Sequence, residues 1–415
     1  MKKVAVIGGG IVGLSSAYFL RNAGHEVTVF DDGDLSDNCS YGNAGMIVPS
    51  HIVPLAAPGM IAKGIRWMFN RSSPFYIRPR FEAGLLKWGY QFYRHSTAAH
   101  LKYAVPVLKS LGEFGRAVYQ KMAREDPDRF AIEQKGLLML YRTAAIEKEE
   151  AETARIAGRS GIEVHILSPQ EVQKMEPDVR VDVRGGVYFP GDAHLVPHKL
   201  MNNLVRFLED SGATLRRKSR VTGFVTGEGN IVALHAAGET FSFDDYVLAA
   251  GAWSGTLIAS TGLRLPMQGG KGYSFTLPRV EKNLRIPSLL LEGRVAVTPM
   301  GDSLRFGGTL EINKSDLSID MRRVKGIVDT ISEFYPEMAV PVPPKEHVWR
   351  GLRPCSPDGL PFIGRSRRYK NLIVATGHAM MGVSLGPATG KLVSEMVAEE
   401  PLSLSIQALD PERFD

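Results

Sequence analysis

The chain has 415 residues, 44% hydrophobic and 23% charged, with a formal net charge of +6 and two cysteines. That length holds more than one core, and that composition excludes disordered and collagen-like classes. The basic excess is spread thinly: its densest runs, Arg216-Arg217-Lys218 and the stretch from Arg365 to Lys370, read as solvated surface, so no nucleic-acid partner is expected. Cys39 and Cys355 have neither metal-site spacing nor a disulfide framework, and no metal is expected. No apolar run approaches the roughly 18–20 residues that span a bilayer. The opening MKKVAVIGGG is followed by no small-residue cleavage site. The expectation is a cytoplasmic protein, with peripheral contact at the inner face of the cell membrane left open.

Lys3 to Ile7 is a short apolar run of the kind a buried parallel strand uses, and it leads into Gly8-Gly9-Gly10-Ile11-Val12-Gly13. Gly8 permits a tight turn, Gly10 lets a pyrophosphate approach the backbone, and Gly13 lets the next helix pack on the strand. That helix is expected from Ile11 to about Ala23, with the N–H groups of its first residues, Ile11 and Val12 among them, facing phosphate. A second strand, Val27 to Phe30, ends at Asp31, 23 residues after Gly8, a position suited to a ribose-binding carboxylate; Asp32 competes for the role. These features predict adenine dinucleotide binding and leave NAD and FAD both open.

Between residues 38 and 51 runs NCSYGNAGMIVPSH, a mixture of small, polar and glycine residues. Residues 67–130 read as helical, as in the stretch from Phe81 to Tyr93, and Trp67 to Arg71 together with the surroundings of Trp88 offers an aromatic and basic face for packing, a membrane or a partner. A helix around Lys199 to Asp210 precedes a parallel strand from Thr214 to Val221. Residues 265–311 alternate as strands do, Asp245 to Trp253 reads as a buried strand ending in small residues, and Asn371 to His378 is another, opening a helix from about Ser384 to Glu399 with Pro387 in its first turn.

Taken in order, the glycine fingerprint, Asn43-Ala44-Gly45, the run VLAAGAW, GLRPCSPDGLPFIG from Gly351 to Gly364, and Thr376-Gly377-His378 with Gly386-Pro-Ala-Thr-Gly390 resemble the D-amino-acid oxidase and glycine oxidase superfamily of FAD enzymes. The likeness is greatest to its D-amino-acid dehydrogenase branch, and CSYGNAGMIVPSH with PLAAPGM and WMFN resembles the enzymes associated with D-proline and 4-hydroxy-D-proline. The resemblance implies an α/β fold: a discontinuous, doubly wound, Rossmann-like FAD domain of residues 1–66, 194–264 and 350–415. Residues 67–193 and 265–349 form a substrate domain of mixed sheet plus helices.

It further implies non-covalent FAD, since no cysteine matches the covalent flavin attachment of sarcosine oxidases. Asn43, Ala44 and Gly45, with Gly42, would supply N–H groups beside the pyrophosphate and ribityl chain, and Met46 would lie against the flavin ring. Val221 would meet the adenine, with Ala250, Gly251 and Gly377 in the cofactor wall. Gly382, Val383 and Ser384 would donate to the flavin N1 and C2 oxygen.

Arg353 matches the carboxylate-binding arginine. Tyr273, Lys271, His378 and His51 are the further catalytic candidates, each also readable as an ordinary structural residue. Where a glycine oxidase carries a second arginine, this chain has His378-Ala-Met-Met381, whose Met pair suits a more apolar substrate such as a ring, or is simply packing. The reaction implied is hydride transfer from Cα of a D-amino acid to flavin N5. Electrons would pass to a quinone or other carrier, with O₂ as in an oxidase and an electron-relay subunit of a homo- or hetero-oligomer as the alternatives.

Overall fold

The computed structural model describes residues 1–62, 64, 75–77, 82–313 and 316–415. The face expected at Trp67 to Arg71, and the expected boundary at 66/67, lie outside the described residues. Lys3–Ile7 is the centre of a six-stranded sheet ordered Phe362–Arg365, Leu372–Thr376, Asp245–Leu248, Lys3–Ile7, Glu26–Phe30, Thr214–Arg216. All neighbours are parallel except the first pair. Alternation along the central strand explains why it is apolar throughout. Val4 and Val6 enter a core built with the helices Ile11–Asn22, Pro197–Asp210 and Gly382–Ala398, while Ala5 and Ile7 enter a second core against the three-stranded antiparallel sheet Val221–Gly227, Asn230–Ala236, Glu239–Phe241. The parallel strand expected through Val221 therefore stops at Arg216; Lys218 takes a positive φ of 51°, and the chain leaves for the three-stranded sheet.

The second large sheet has nine strands, in the order Trp349–Cys355, Gln268–Leu277, Ser303–Asn313, Val295–Met300, Ser288–Leu290, Leu137–Tyr141, Gly185–Phe189, His165–Leu167, with Phe75–Ile77 paired to Ser303–Asn313. Residues 67–130 are thus not helical throughout: Phe75–Ile77 is a strand before the helices Ala83–His95 and Ala98–Glu125. The expected boundary at residue 350 falls inside Trp349–Cys355, which hydrogen-bonds to Gln268–Leu277 and so places Arg353 on this sheet.

The last helix begins at Gly382, not near Ser384, so Pro387 sits in its interior. A proline there has no N–H for the carbonyl four residues back, that of Val383. The buried Tyr119 hydroxyl donates to that carbonyl at 2.6 Å and replaces the lost partner. Tyr119→Phe is expected to leave the carbonyl unsatisfied and to cost about 1–3 kcal/mol in denaturant unfolding; an unchanged midpoint would show that another donor reaches Val383. Small residues let this helix approach the first one: a Cβ on Gly386 would lie 2.8 Å from Ile11 Cγ1, and one on Gly390 2.5 Å from the Ser15 backbone.

Candidate active site

One cavity of about 1380 Å³ runs between the two sheets. It is larger than the roughly 300–1,000 Å³ of an ordinary small-molecule pocket. Its lining includes Gly8, Gly10, Ile11, Val12, Asp31, Asp32 and Val221, and also His51, Arg353, His378, Gly382 and Val383. A Cβ on Gly13 would strike the Gly8 carbonyl at 1.8 Å, whereas one on Gly10 would meet only Ser40 Oγ, at 3.6 Å. Gly13 is therefore required by packing, and Gly10 leaves room above the helix N-terminus. Asp31 accepts from the N–H groups of Gly9 at 2.6 Å and Gly33 at 2.8 Å, one to each oxygen, and each oxygen keeps lone-pair capacity toward the cavity. Asp32 is largely exposed and lies 3.9 Å from Arg220. An open phosphate cradle, an oriented carboxylate and a long cavity fit a dinucleotide cofactor.

The permissive stretch after the second strand has a different explanation from the one expected. A Cβ on Gly42 would fall 1.9 Å from the Trp349 ring, and one on Gly45 2.2 Å from the Leu195 carbonyl; Gly45 also has φ +74°. Its N–H is engaged by Asn43 Oδ1 at 2.8 Å, and that of Asn43 by the Ser40 carbonyl at 3.2 Å. Gly45 is not a cavity donor; Asn43, Ala44 and Met46 do line the cavity. Smallness here lets the segment lie against the substrate sheet, where Ser274 Oγ donates to the Gly42 carbonyl at 2.8 Å and Arg305 to those of Tyr41 and Asn43 at 2.7 and 3.0 Å. Burial lowers the Arg305 pKa to about 10. Ser40 caps the first helix by accepting from Ile11 N–H at 2.9 Å, and Asn38 donates to the Gly9 carbonyl at 3.0 Å. None of Asn38, Ser40, Ser274 and Arg305 was expected; the only sequence signal is that polar side chains recur beside glycines whose backbone must be pinned.

Arg353 lines the cavity, and its Nη1 donates to the Thr309 carbonyl at 2.6 Å. No carboxylate lies within ion-pair distance of it among the described residues. Burial pulls its pKa below the ordinary value, with the Cys355 and Cys39 thiols nearby. Space for the guanidinium comes from Gly272, whose Cβ would be 2.3 Å from it. Opposite Gly272 the ladder slips, pairing Lys271 with Glu311 but Tyr273 with Gly308, and the extra residue is Thr309 at φ +63°. Such a conformation is a rare outlier for a β-branched residue and marks a bulge held by its surroundings. The Thr309 hydroxyl is buried without a partner among the described residues.

Strand alternation separates the other candidates. Gly270, Gly272 and Ser274 share the face of Arg353, so Lys271 and the Tyr273 side chain point away from it. Lys271 is 1% exposed and pairs with Glu311 at 3.4 Å and Asp316 at 3.3 Å, while donating to the Ser318 carbonyl at 2.8 Å. It does not line the cavity. Tyr273 touches the cavity wall, yet its hydroxyl accepts from Asp320 N–H at 3.2 Å and donates to the Ser318 carbonyl at 3.4 Å. Both expected catalytic assignments yield to this buried structural network.

His378 lines the cavity, bonded through Nε2 to Thr389 Oγ1 at 2.8 Å; burial lowers its pKa to about 3 and keeps it neutral. His51 also lines it, with burial lowering its pKa to about 4. Ala250 and Gly251 form part of the wall, but Gly377 does not: at φ +81° it packs beneath Phe362, where a Cβ would lie 2.7 Å from the ring. Gly382 and Val383 present the first turn of the last helix to the cavity; the Ser384 hydroxyl instead accepts from Val48 N–H at 3.0 Å.

The family model of the FAD dependent oxidoreductases, DAO, matches residues 3–396. The chain belongs to this family. A protein of Neisseria meningitidis named D-amino acid dehydrogenase is 29% identical over 419 residues, covering 99% of both chains. One of the same name from Granulibacter bethesdensis is 30% identical over 403 residues, covering 95% of this chain and 96% of that one. The crystal structure of glycine oxidase from Geobacillus kaustophilus superposes with a TM-score of 0.79 at 22% identity, covering 100% of each chain. The protein is thus an FAD-dependent oxidoreductase, which settles the choice between NAD and FAD that the glycines leave open. Among the described residues no helix is long and apolar enough to cross a membrane, and no group of side chains is arranged to hold a metal ion.

Proposed function

We propose that the chain is a D-amino acid dehydrogenase that oxidises D-proline or a hydroxylated D-proline to the imino acid and hands the electrons to a quinone or another carrier. Bound non-covalently, FAD would supply the two-electron oxidant. The observation carrying the amino-acid reading is Arg353: a guanidinium lining the cofactor cavity, with a backbone carbonyl for company and no carboxylate within ion-pair distance among the described residues. A substrate carboxylate supplies the missing charge, and the planar fork sets its pose as well. The Thr309 carbonyl holds the fork from behind, while Gly10, Ile11, Asp31 and Val221 would hold the pyrophosphate, ribose and adenine, and Gly382 and Val383 the flavin end. The curated relatives' names agree with the stereochemistry. Met380 and Met381, both lining the cavity, favour an apolar ring over a bare amino acid.

Anaerobic mixing with a panel of D- and L-amino acids tests this. D-proline and hydroxylated D-proline should bleach the flavin faster than D-alanine, L-enantiomers should not, and admitted air should reoxidise it slowly compared with a quinone. Faster reduction by glycine or sarcosine, with rapid reoxidation in air, would establish the oxidase reading instead.

A further inference from the structure

Two cavities lie on either side of Ser50. The large one is lined by Ser50 and His51; a second, of about 220 Å³, is lined by Asp192 with Arg116, Gln120 and Gln134. Asp192 is 1% exposed, and both its oxygens are engaged by Ser50: the backbone N–H donates to Oδ1 at 3.1 Å and the hydroxyl to Oδ2 at 2.5 Å. With its only proton directed to Asp192, the Ser50 oxygen is left to accept from its other neighbour, His51 Nδ1 at 3.3 Å. That arrangement puts the imidazole proton on Nδ1. Nε2 has no partner among the described residues and keeps its lone pair on a ring that lines the main cavity.

A protonated amine has no nitrogen lone pair to support loss of hydride from Cα, so one N–H proton must leave an amino-acid substrate before it is oxidised. Resting on the reading above, we propose that His51 Nε2 takes this proton, and that Ser50 and Asp192 are positioning residues that hold the imidazole in the required tautomer and balance its charge. The substrate N–H bond breaks, Nε2–H forms, and the electron pair stays on the amine nitrogen. The imidazolium then donates Nδ1–H to Ser50, which donates to the Asp192 carboxylate, the orienting logic of an acid–imidazole pair with a hydroxyl between them. Burial raises the Asp192 pKa to about 7, against the lowering effect of the Ser50 hydrogen bonds and Arg116, and a cation forming on His51 favours its ionised form. Burial and the charge of Arg294 both lower the His51 pKa, to about 4, and it is this cost of the cation that Ser50 and Asp192 would offset.

Anaerobic stopped-flow reduction by D-proline, scored per bound flavin, tests the assignment. In His51→Ala the limiting reduction rate should fall roughly 10²-fold, and in Ser50→Ala and Asp192→Asn at least about 10-fold. Half-saturating D-proline should stay within about threefold because Arg353 still holds the carboxylate. Ser50→Thr should recover most of the Ser50→Ala loss. The double variant Asp192→Asn/His51→Ala should be no slower than His51→Ala alone, since residues acting through one another are not additive. Additive losses, a Ser50→Thr no better than Ser50→Ala, or an Asp192→Asn that reduces at the wild-type rate would each overturn the proposal; if Asp192→Asn fails to fold, the Ser50 pair decides. A wild-type protein reduced by no D-amino acid would instead remove the amino-acid reading itself.

Discussion

Arg353→Ala is expected to give a folded, yellow protein whose kcat/KM for a D-amino acid is lower by about 10² to 10³. A charge partner removed from a water-poor site costs roughly 2–5 kcal/mol, which is that factor or more. FAD should remain bound because Arg353 stands on the Trp349–Cys355 strand of the substrate sheet and belongs to neither the glycine turn nor the last helix. Its one hydrogen bond among the described residues is to the Thr309 carbonyl, so the fold loses little. Arg353→Lys should recover only part, because an ammonium replaces a two-pronged donor by a point charge. Steady-state kinetics on both variants at matched flavin content measure the loss.

Lys271→Met should do the reverse. Glu311 and Asp316 would lose a cation 3.4 and 3.3 Å away, in a place where Lys271 is 1% exposed. Breaking a buried pair by removing one partner costs about 3–5 kcal/mol. Arg323 remains 3.7 Å from Glu311, and the Asp316 side chain is 31% exposed, so the lower end, about 3 kcal/mol, is expected. Denaturant unfolding should show this loss, while flavin reduction per bound FAD stays near wild type. A variant of normal stability that reduces poorly would return Lys271 to the site.

The contrast between these two residues shows what local pattern conveys. Gly8, Gly10, Gly13 and Asp31 were legible because each answers a requirement set within one strand, turn and helix. The run around Arg353 singled out a residue that lines the cavity. Lys271 and Tyr273 stand only one residue along the strand from Gly270, Gly272 and Ser274, which share the face of Arg353, and a one-residue change of register inverts every side chain in a strand. The signal was present: Gly270, Gly272 and Ser274 alternate as small residues on the face that must admit a guanidinium and the 37–45 segment. Gly45 and Pro387 were misplaced for a related reason. Whether an N–H is free depends on Asn43 folding back on it, and whether a proline is tolerated depends on Tyr119, more than 260 residues away in sequence. Ser40, Arg305 and Thr309 act through distant backbone in the same way, which no spacing along the chain encodes.

The central claim, that Arg353 binds the substrate carboxylate, is tested most directly by comparing D-proline with pyrrolidine, its counterpart lacking the carboxylate, in wild type and Arg353→Ala. Flavin reduction at limiting substrate is measured for all four combinations. Wild type should prefer D-proline by about 10²-fold or more, and Arg353→Ala should treat the two within a few-fold of each other, because the carboxylate then has no partner to lose. An undiminished preference for D-proline in Arg353→Ala would mean that the carboxylate is bound elsewhere, and the account of this site would be wrong.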